Sequence, residues 1–192
     1  MRADAERSTA RILKAAEVVL ADEPGAPLER IADAAGLARA TVHRRFSSRK
    51  ALIDALTAQL NERYLLGLKQ ARVDSAPPLV ALHRLTEIIF ELKINNRFAM
   101  NAAANPATGA PRLDPEVLNG LDLLFTRLHA AGVITAAGPA WCRGVFLALL
   151  HEVDQLPADA PVLAGTDGGT GARIDLLART VIGALGGSAS PA

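Results

Sequence analysis

The stretch from Ile31 to Lys50 sets the strongest limit on the fold: a helix-spaced apolar run ends at Gly36, and a second, densely basic run begins near Arg39. Ile31, Ala35, Leu37, Val42 and Phe46 supply the apolar contacts that two short helices need to bury against each other, and small Ala32 lets their backbones cross closely. Gly36 stands where a chain leaves a helix through a left-handed residue, a conformation that costs glycine little. Two short helices crossing at a large angle through such a turn form a helix-turn-helix, whose second helix lies in the major groove of DNA.

Charge agrees with this reading. Net charge is only +1 over 192 residues, yet residues 1–72 carry 13 Lys and Arg against 9 Asp and Glu, while residues 73–192 carry 8 against 11. Arg39, Arg44, Arg45, Arg49 and Lys50 fall in one acid-free stretch, a footprint suited to a phosphate backbone. A basic run alone is more often a solvated helix face; the glycine turn and its apolar contacts tip the balance.

Ala and Leu abound, aromatics make up 4% of the chain, and β-branched alternation is hard to find, so the fold class is all-α. Length leaves room for a larger helical domain behind the helix-turn-helix. A single cysteine, Cys142, excludes an intrachain disulfide and fits a reducing compartment, most simply as core. The segment Met1 to Lys14 is charged, and no stretch approaches the roughly 18 apolar residues of a spanning helix, so a cytoplasmic protein without membrane contact is expected.

Apolar periodicity predicts nine helices. The first spans about Ala5 to Ala21 with Ile12, Ala16, Val19 and Leu20 on one stripe, and Pro24, Gly25 and Pro27 end it. The second runs from Leu28 to Ala35 with Pro27 near its start, the third is the basic helix, and the fourth runs from Arg49 to about Arg72 behind a Ser47 or Ser48 cap. Asp74 to Pro78 marks a boundary. Helix 5 carries Leu79, Leu82, Leu85, Ile89 and Leu92; helix 6 lies between Asn96 and Ala104. Helix 7 starts near Asp114 and carries Val117, Leu118, Leu121, Leu124, Phe125 and Leu128. Helix 8, Pro139 to about Leu156, is apolar on every side, so a partner beyond its own core is expected to cover it. The stretch from Pro157 to Gly171 reads as a mobile loop; its glycines lack the preceding strand and the following Gly-Lys-Ser/Thr of a phosphate loop. Helix 9 carries Ile174, Leu177, Ala178, Val181, Ile182 and Leu185 on one face.

In helix count and order the chain resembles the TetR family of transcriptional regulators. The specific part is residues 12–60, notably Ile12-Leu13-Lys14-Ala15-Ala16, Ile31-Ala32, Ala35-Gly36-Leu37, Thr41-Val42, Phe46 and Arg49 through Leu52. The resemblance implies a helix-turn-helix domain over residues 1–48, a connecting helix 4 over 49–72, an effector-binding and dimerisation domain over 73–186 and a disordered tail over 187–192. It also implies a homodimer on double-stranded DNA with a palindromic operator, paired through helices 8 and 9 by Val145, Ala148, Leu149, Ile174, Leu177, Ala178, Val181, Ile182 and Leu185. Carried over residue by residue, Arg39, Ala40, Thr41 and Arg44 face base edges and nearby phosphates, and His43 and Arg45 face the backbone. Arg49 then takes the place of the family's phosphate-clamping lysine, with Lys50 beside it. The chain departs from the family pattern in having Pro27, Ala38, Ala40 and His43 where Thr, Ser, Gly and Tyr are usual, so a cap and one or two phosphate bonds are expected to be lost.

The resemblance further implies a small-molecule effector held among helices 4 to 8. Tyr64, Phe90, Phe98, Asn101, Phe125 and Trp141 are the candidates to line an apolar pocket, although aromatics at helical spacing are usually core. Asn95, Asn96, Asn101 and Asn105 cluster around helix 6. His83, His129 and His151 lie on separate helices without the i, i+4 spacing of a zinc helix, so no metal is expected. No nucleophile elbow, paired-carboxylate motif or cofactor fingerprint is present, which argues against an enzyme and for no cofactor. The other class left open is a helical small-molecule-binding or scaffolding dimer whose altered head no longer reads sequence.

Overall fold

The computed structural model describes residues 2–103, 113–164, 166 and 168–187. The expectations for Asn105, Gly165 and residues 188–192, and for the side chain of Asn95, lie outside what it describes. Among the described residues the chain forms α1 (Arg2–Asp22), α2 (Leu28–Ala35), α3 (Arg39–Arg45), α4 (Arg49–Ala71), α5 (Pro78–Asn95), α6 (Arg97–Ala103), α7 (Pro115–Ala130), α8 (Pro139–Gln155) and α9 (Thr170–Ala184), with one 3-10 turn at Pro161–Leu163 and no strand. The nine expected helices are present in the expected order. Inside the stretch read as a mobile loop, however, the 3-10 turn buries Leu163, and Ala160 is buried beside it.

Two compact units emerge, residues 1–62 with 94–111 and residues 63–93 with 112–192. This division falls elsewhere than at the expected Asp74–Pro78 boundary: it lies inside α4, and α6 joins the first unit, where it packs on α1. The reason is burial. Leu52, Leu56 and Leu60 of α4 are core residues on one side of the division, while Leu68 and Ala71 belong to the core cluster of the second unit. Prolines mark where a chain turns, which need not be where packing changes.

The first unit is held by fully buried Ile12, Ala16, Leu20, Ile31, Ala32, Val42 and Leu52, with Phe46 nearly so. In the second, α5, α7, α8 and α9 contribute a larger core around Phe125 and Phe146, whose rings meet at 5.8 Å and 56°. Helices approach closely where side chains are absent: a Cβ on Gly120 of α7 would fall 2.6 Å from Leu68 of α4. Arg127 donates to the carbonyls of Val73 (2.6 Å) and Ala76 (2.8 Å), and Arg173 to those of Val153 (2.7 Å) and Leu156 (2.8 Å), so two half-buried side chains fasten a turn and a helix end.

The α9 face expected to meet a partner is consumed inside the protomer. Ile174, Leu177, Ala178, Val181, Ile182 and Leu185 are each 8% exposed or less in the single chain, leaving almost no surface for a second copy. Periodicity shows which face of a helix is apolar and not what covers it. On α8 the expected residues stay nearer the surface, Ala148 exposed and Val145 and Leu149 half-buried.

Candidate nucleic-acid interface

The head is built from its turn outward. Gly36 ends α2 in the left-handed conformation (φ 62°), with the Leu37 amide donating to Ala32 O at 3.0 Å and the Gly36 amide to Asp33 O at 3.1 Å. This paired closure directs the chain straight into α3. Arg11 of α1 donates to Ala35 O at 2.7 Å and to Gly36 O at 3.2 Å, fixing the turn from outside. Ala38 occupies the N-cap of α3 and Pro27 that of α2, and neither makes a side-chain cap bond, the loss expected from the departures at those positions. Ser48, not Ser47, caps α4: its Oγ accepts from the Ala51 amide at 3.1 Å.

Anchored by buried Val42 and Phe46, the seven-residue α3 exposes Arg39, Ala40, His43, Arg44 and Arg45 and half-exposes Thr41. Its polar side chains are not equivalent. Arg39 lies 3.9 Å from the Asp33 carboxylate, and His43 Nε2 meets Glu29 Oε1 at 2.9 Å. Lys50 pairs with Asp54 one turn along α4 at 2.7 Å. Arg49, expected at a phosphate, instead donates to the carbonyls of Ala26 (2.7 Å) and Pro24, pinning the start of α4 to the turn between α1 and α2. Arg44 and Arg45 make no hydrogen bond or ion pair with any described residue and project into solvent. The Glu29 carboxyl sits below its ordinary range, first because its own backbone amide hydrogen-bonds it at the start of α2, then because the His43 ring does.

The missed signal is a pair of spacings. Glu29 and Asp33 are four apart on α2, and Arg39 and His43 are four apart on α3. Each pair occupies one helix face.

The candidate effector residues do not form one group. Tyr64, Phe90 and Phe125 lie in or against the core of the second unit, and burial pushes the Tyr64 phenol up. Phe98 (buried) and Asn101 (exposed) belong to the first unit, and Trp141 is 69% exposed on α8. Lys93 of α5 and Asp154 of α8 form an ion pair at 2.7 Å. Among the described residues no three His, Cys, Asp or Glu side chains converge as a metal site, and no helix is long and apolar enough to cross a membrane.

Residues 12–56 match the pattern of bacterial regulatory proteins of the tetR family. Over 151 residues, 76% of this chain and 77% of the relative, the sequence is 33% identical to the HTH-type transcriptional repressor LfrR of Mycolicibacterium smegmatis. The crystal structure of LfrR from Mycobacterium smegmatis in complex with proflavine matches with a TM-score of 0.64 at 28% identity, covering 92% of this chain and 94% of that one. AibR in complex with isovaleryl coenzyme A and operator DNA shares the fold at 17% identity, with a TM-score of 0.64 over 93% of this chain and 97% of that one. A basic helix anchored behind a glycine turn, a head matching the family pattern and a relative aligned along most of the chain make this protein a member of the TetR family, a non-enzymatic DNA-binding regulator of transcription.

Proposed function

We propose that the protein is a ligand-responsive repressor that binds a palindromic operator as a homodimer in the cytoplasm and leaves it when a small molecule occupies the second unit. One observation carries the reading: α3 offers Arg44 and Arg45 to solvent, uncommitted to any described residue, while Val42 and Phe46 lock its other side. Arginine is suited both to guanine O6 and N7 and to phosphate oxygens. Ala40 and Thr41 complete the groove-facing surface, and Arg39, His43 and Lys50 supply backbone contacts once released from their carboxylates. Arg49 acts mainly as a tether between the start of α4 and the turn joining α1 to α2.

For the dimer, the supporting surface is the outer side of α8, where Trp141, Gly144 and Ala148 are exposed beside half-buried Val145 and Leu149, with Thr180, Gly183 and Ala184 exposed on α9. Small residues beside an exposed tryptophan suit close helix packing across a twofold axis. Two heads related by that axis meet half-sites about 34–36 Å apart. LfrR was crystallised with proflavine, which supports a planar aromatic effector, with Tyr64, Phe90 and Phe125 as its candidate contacts in the second unit.

Selection of bound duplexes from a random pool, with light scattering on the purified protein, tests the reading. The expected result is an enriched palindrome and a dimer, with Arg44→Ala and Arg45→Ala abolishing enrichment while the dimer persists. A monomer at micromolar concentration, or no enriched sequence at low salt, overturns it.

A further inference from the structure

Four polar side chains form a two-rung ladder across the exposed seam of the helix-turn-helix. The rungs are Glu29 with His43 at 2.9 Å and Asp33 with Arg39 at 3.9 Å. The geometry is regular because both partners on each helix are one turn apart, so a carboxylate stripe on α2 faces an arginine and a histidine on α3.

This ladder contributes little to holding the head together. Side-chain exposure is 42% at Glu29, 49% at His43, 66% at Arg39 and 68% at Asp33, a range in which ion pairs add little to stability. The glue is elsewhere, in Ile31, Ala32, Val42 and Phe46. What the carboxylates do is occupy Arg39 and His43, two members of the helix read as facing DNA. They also hold two negative charges beside the path a phosphate backbone takes.

We propose that Glu29 and Asp33 act as an intramolecular stand-in for DNA phosphates, engaging Arg39 and His43 off DNA and so raising the head's discrimination between operator and bulk DNA. A duplex of arbitrary sequence offers these two side chains only phosphates, and exchanging a carboxylate for a phosphate gains little. An operator adds base-edge contacts from the neighbouring residues, so it bears the exchange better. Specificity is a difference between two affinities, and an element that weakens the wrong complex more than the right one increases it. Glu29 and Asp33 are positioning residues here, acting through their partners. The inference rests on α3 being the DNA-facing helix.

The test compares wild type with Glu29→Gln/Asp33→Asn, which keeps side-chain size and hydrogen bonding and removes both charges. Fluorescence anisotropy is read with a 30-base-pair random-sequence duplex and with the best duplex from the pool selection, over a salt series. Affinity of the variant for the random duplex should rise about tenfold at low salt and its log–log salt slope should steepen by about one, as the freed Arg39 reaches a phosphate. Affinity for the selected duplex should rise only about threefold, so the ratio falls, while the thermal midpoint stays in place. Unchanged or weaker random-duplex binding, or a preserved ratio, overturns the proposal. If the double variant misfolds, Asp33→Asn alone touches only the longer, more exposed rung and should give a shift of about threefold in the same direction; its absence also overturns the proposal. Loss of binding in Arg44→Ala with no change in Glu29→Gln/Asp33→Asn would sink this inference and leave the DNA-binding surface standing.

Discussion

The basic side chains that fasten the second unit turn inward, whereas α3 of the first turns two of its own outward. In the second, Arg127 and Arg173 each close on two backbone carbonyls, and Lys93 and Arg143 pair with Asp154 and Asp122. They satisfy groups that the fold itself leaves open. In the first, Arg11 and Arg49 have that inward role, but Arg44 and Arg45 are left without a described partner on a helix anchored from behind. A cation is free to reach DNA without breaking a contact only where its own chain does not already engage it. Counting charges along a sequence cannot make this distinction, because the competing acceptors are carbonyls and carboxylates many residues away.

The largest effect expected from breaking this contrast is on affinity. Replacing Arg44 and Arg45 together with Ala removes two groove-facing cations, each worth about 1–3 kcal/mol if it reaches a base edge, so operator binding should fall about 100- to 1000-fold. Urea unfolding of the same variant should shift by less than about 0.5 kcal/mol, since neither side chain touches the fold. Arg127→Ala should show the reverse. Losing two charge-assisted bonds to the Val73 and Ala76 carbonyls should cost about 2–3 kcal/mol in urea melts. Operator affinity per folded molecule should stay within about threefold, well inside one decade or 1.4 kcal/mol. A variant that lost both properties equally would erase the distinction between the units.

How much was legible follows the same line. The helix-turn-helix could be read because its determinants are local: Gly36, the apolar residues Ile31, Ala35, Val42 and Phe46, and the basic run all lie within twenty residues. Helix order was legible from periodicity. The pairing of α9 was not, since Leu177 and Val181 would look the same whether a neighbouring helix or a second copy covered them. Nor was the inward turn of Arg49, whose acceptors at Pro24 and Ala26 lie across a chain reversal. The ladder from Glu29 and Asp33 to His43 and Arg39 becomes visible only once α2 and α3 are laid side by side. The 3-10 turn at Pro161–Leu163 was hidden by a composition typical of loops.

Left-handed residues close helices in both units, and two of these closures differ in chemistry. At Gly36 (φ 62°) an added Cβ would meet Arg11 Nη2 at 3.2 Å. Gly36→Ala should therefore lose about 1–2 kcal/mol, from the left-handed backbone and from displacing the arginine that fixes the turn. Its checking measurement is the thermal unfolding midpoint.

Arg72 supplies the opposite case, a bulky residue held at φ 54° where α4 ends. The closure is the same, with the Val73 amide on Leu68 O at 3.3 Å and the Arg72 amide on Lys69 O at 3.0 Å, so the backbone geometry is set by the bonds and not by the residue. Arginine in that conformation costs about 1–2 kcal/mol relative to glycine. Arg72→Gly removes that cost and gives back about 0.5–1 kcal/mol of extra unfolded-chain entropy, along with a long bond from Arg72 Nε to Ser75 Oγ at 3.4 Å. The net should be a gain of about 0.5 kcal/mol, a rise of about 1–2 °C in the thermal midpoint. A fall instead would mean that the arginine side chain stabilises this turn by more than its strain costs, bringing Arg72 into the same class as Arg127 and extending the inward use of basic residues in the second unit.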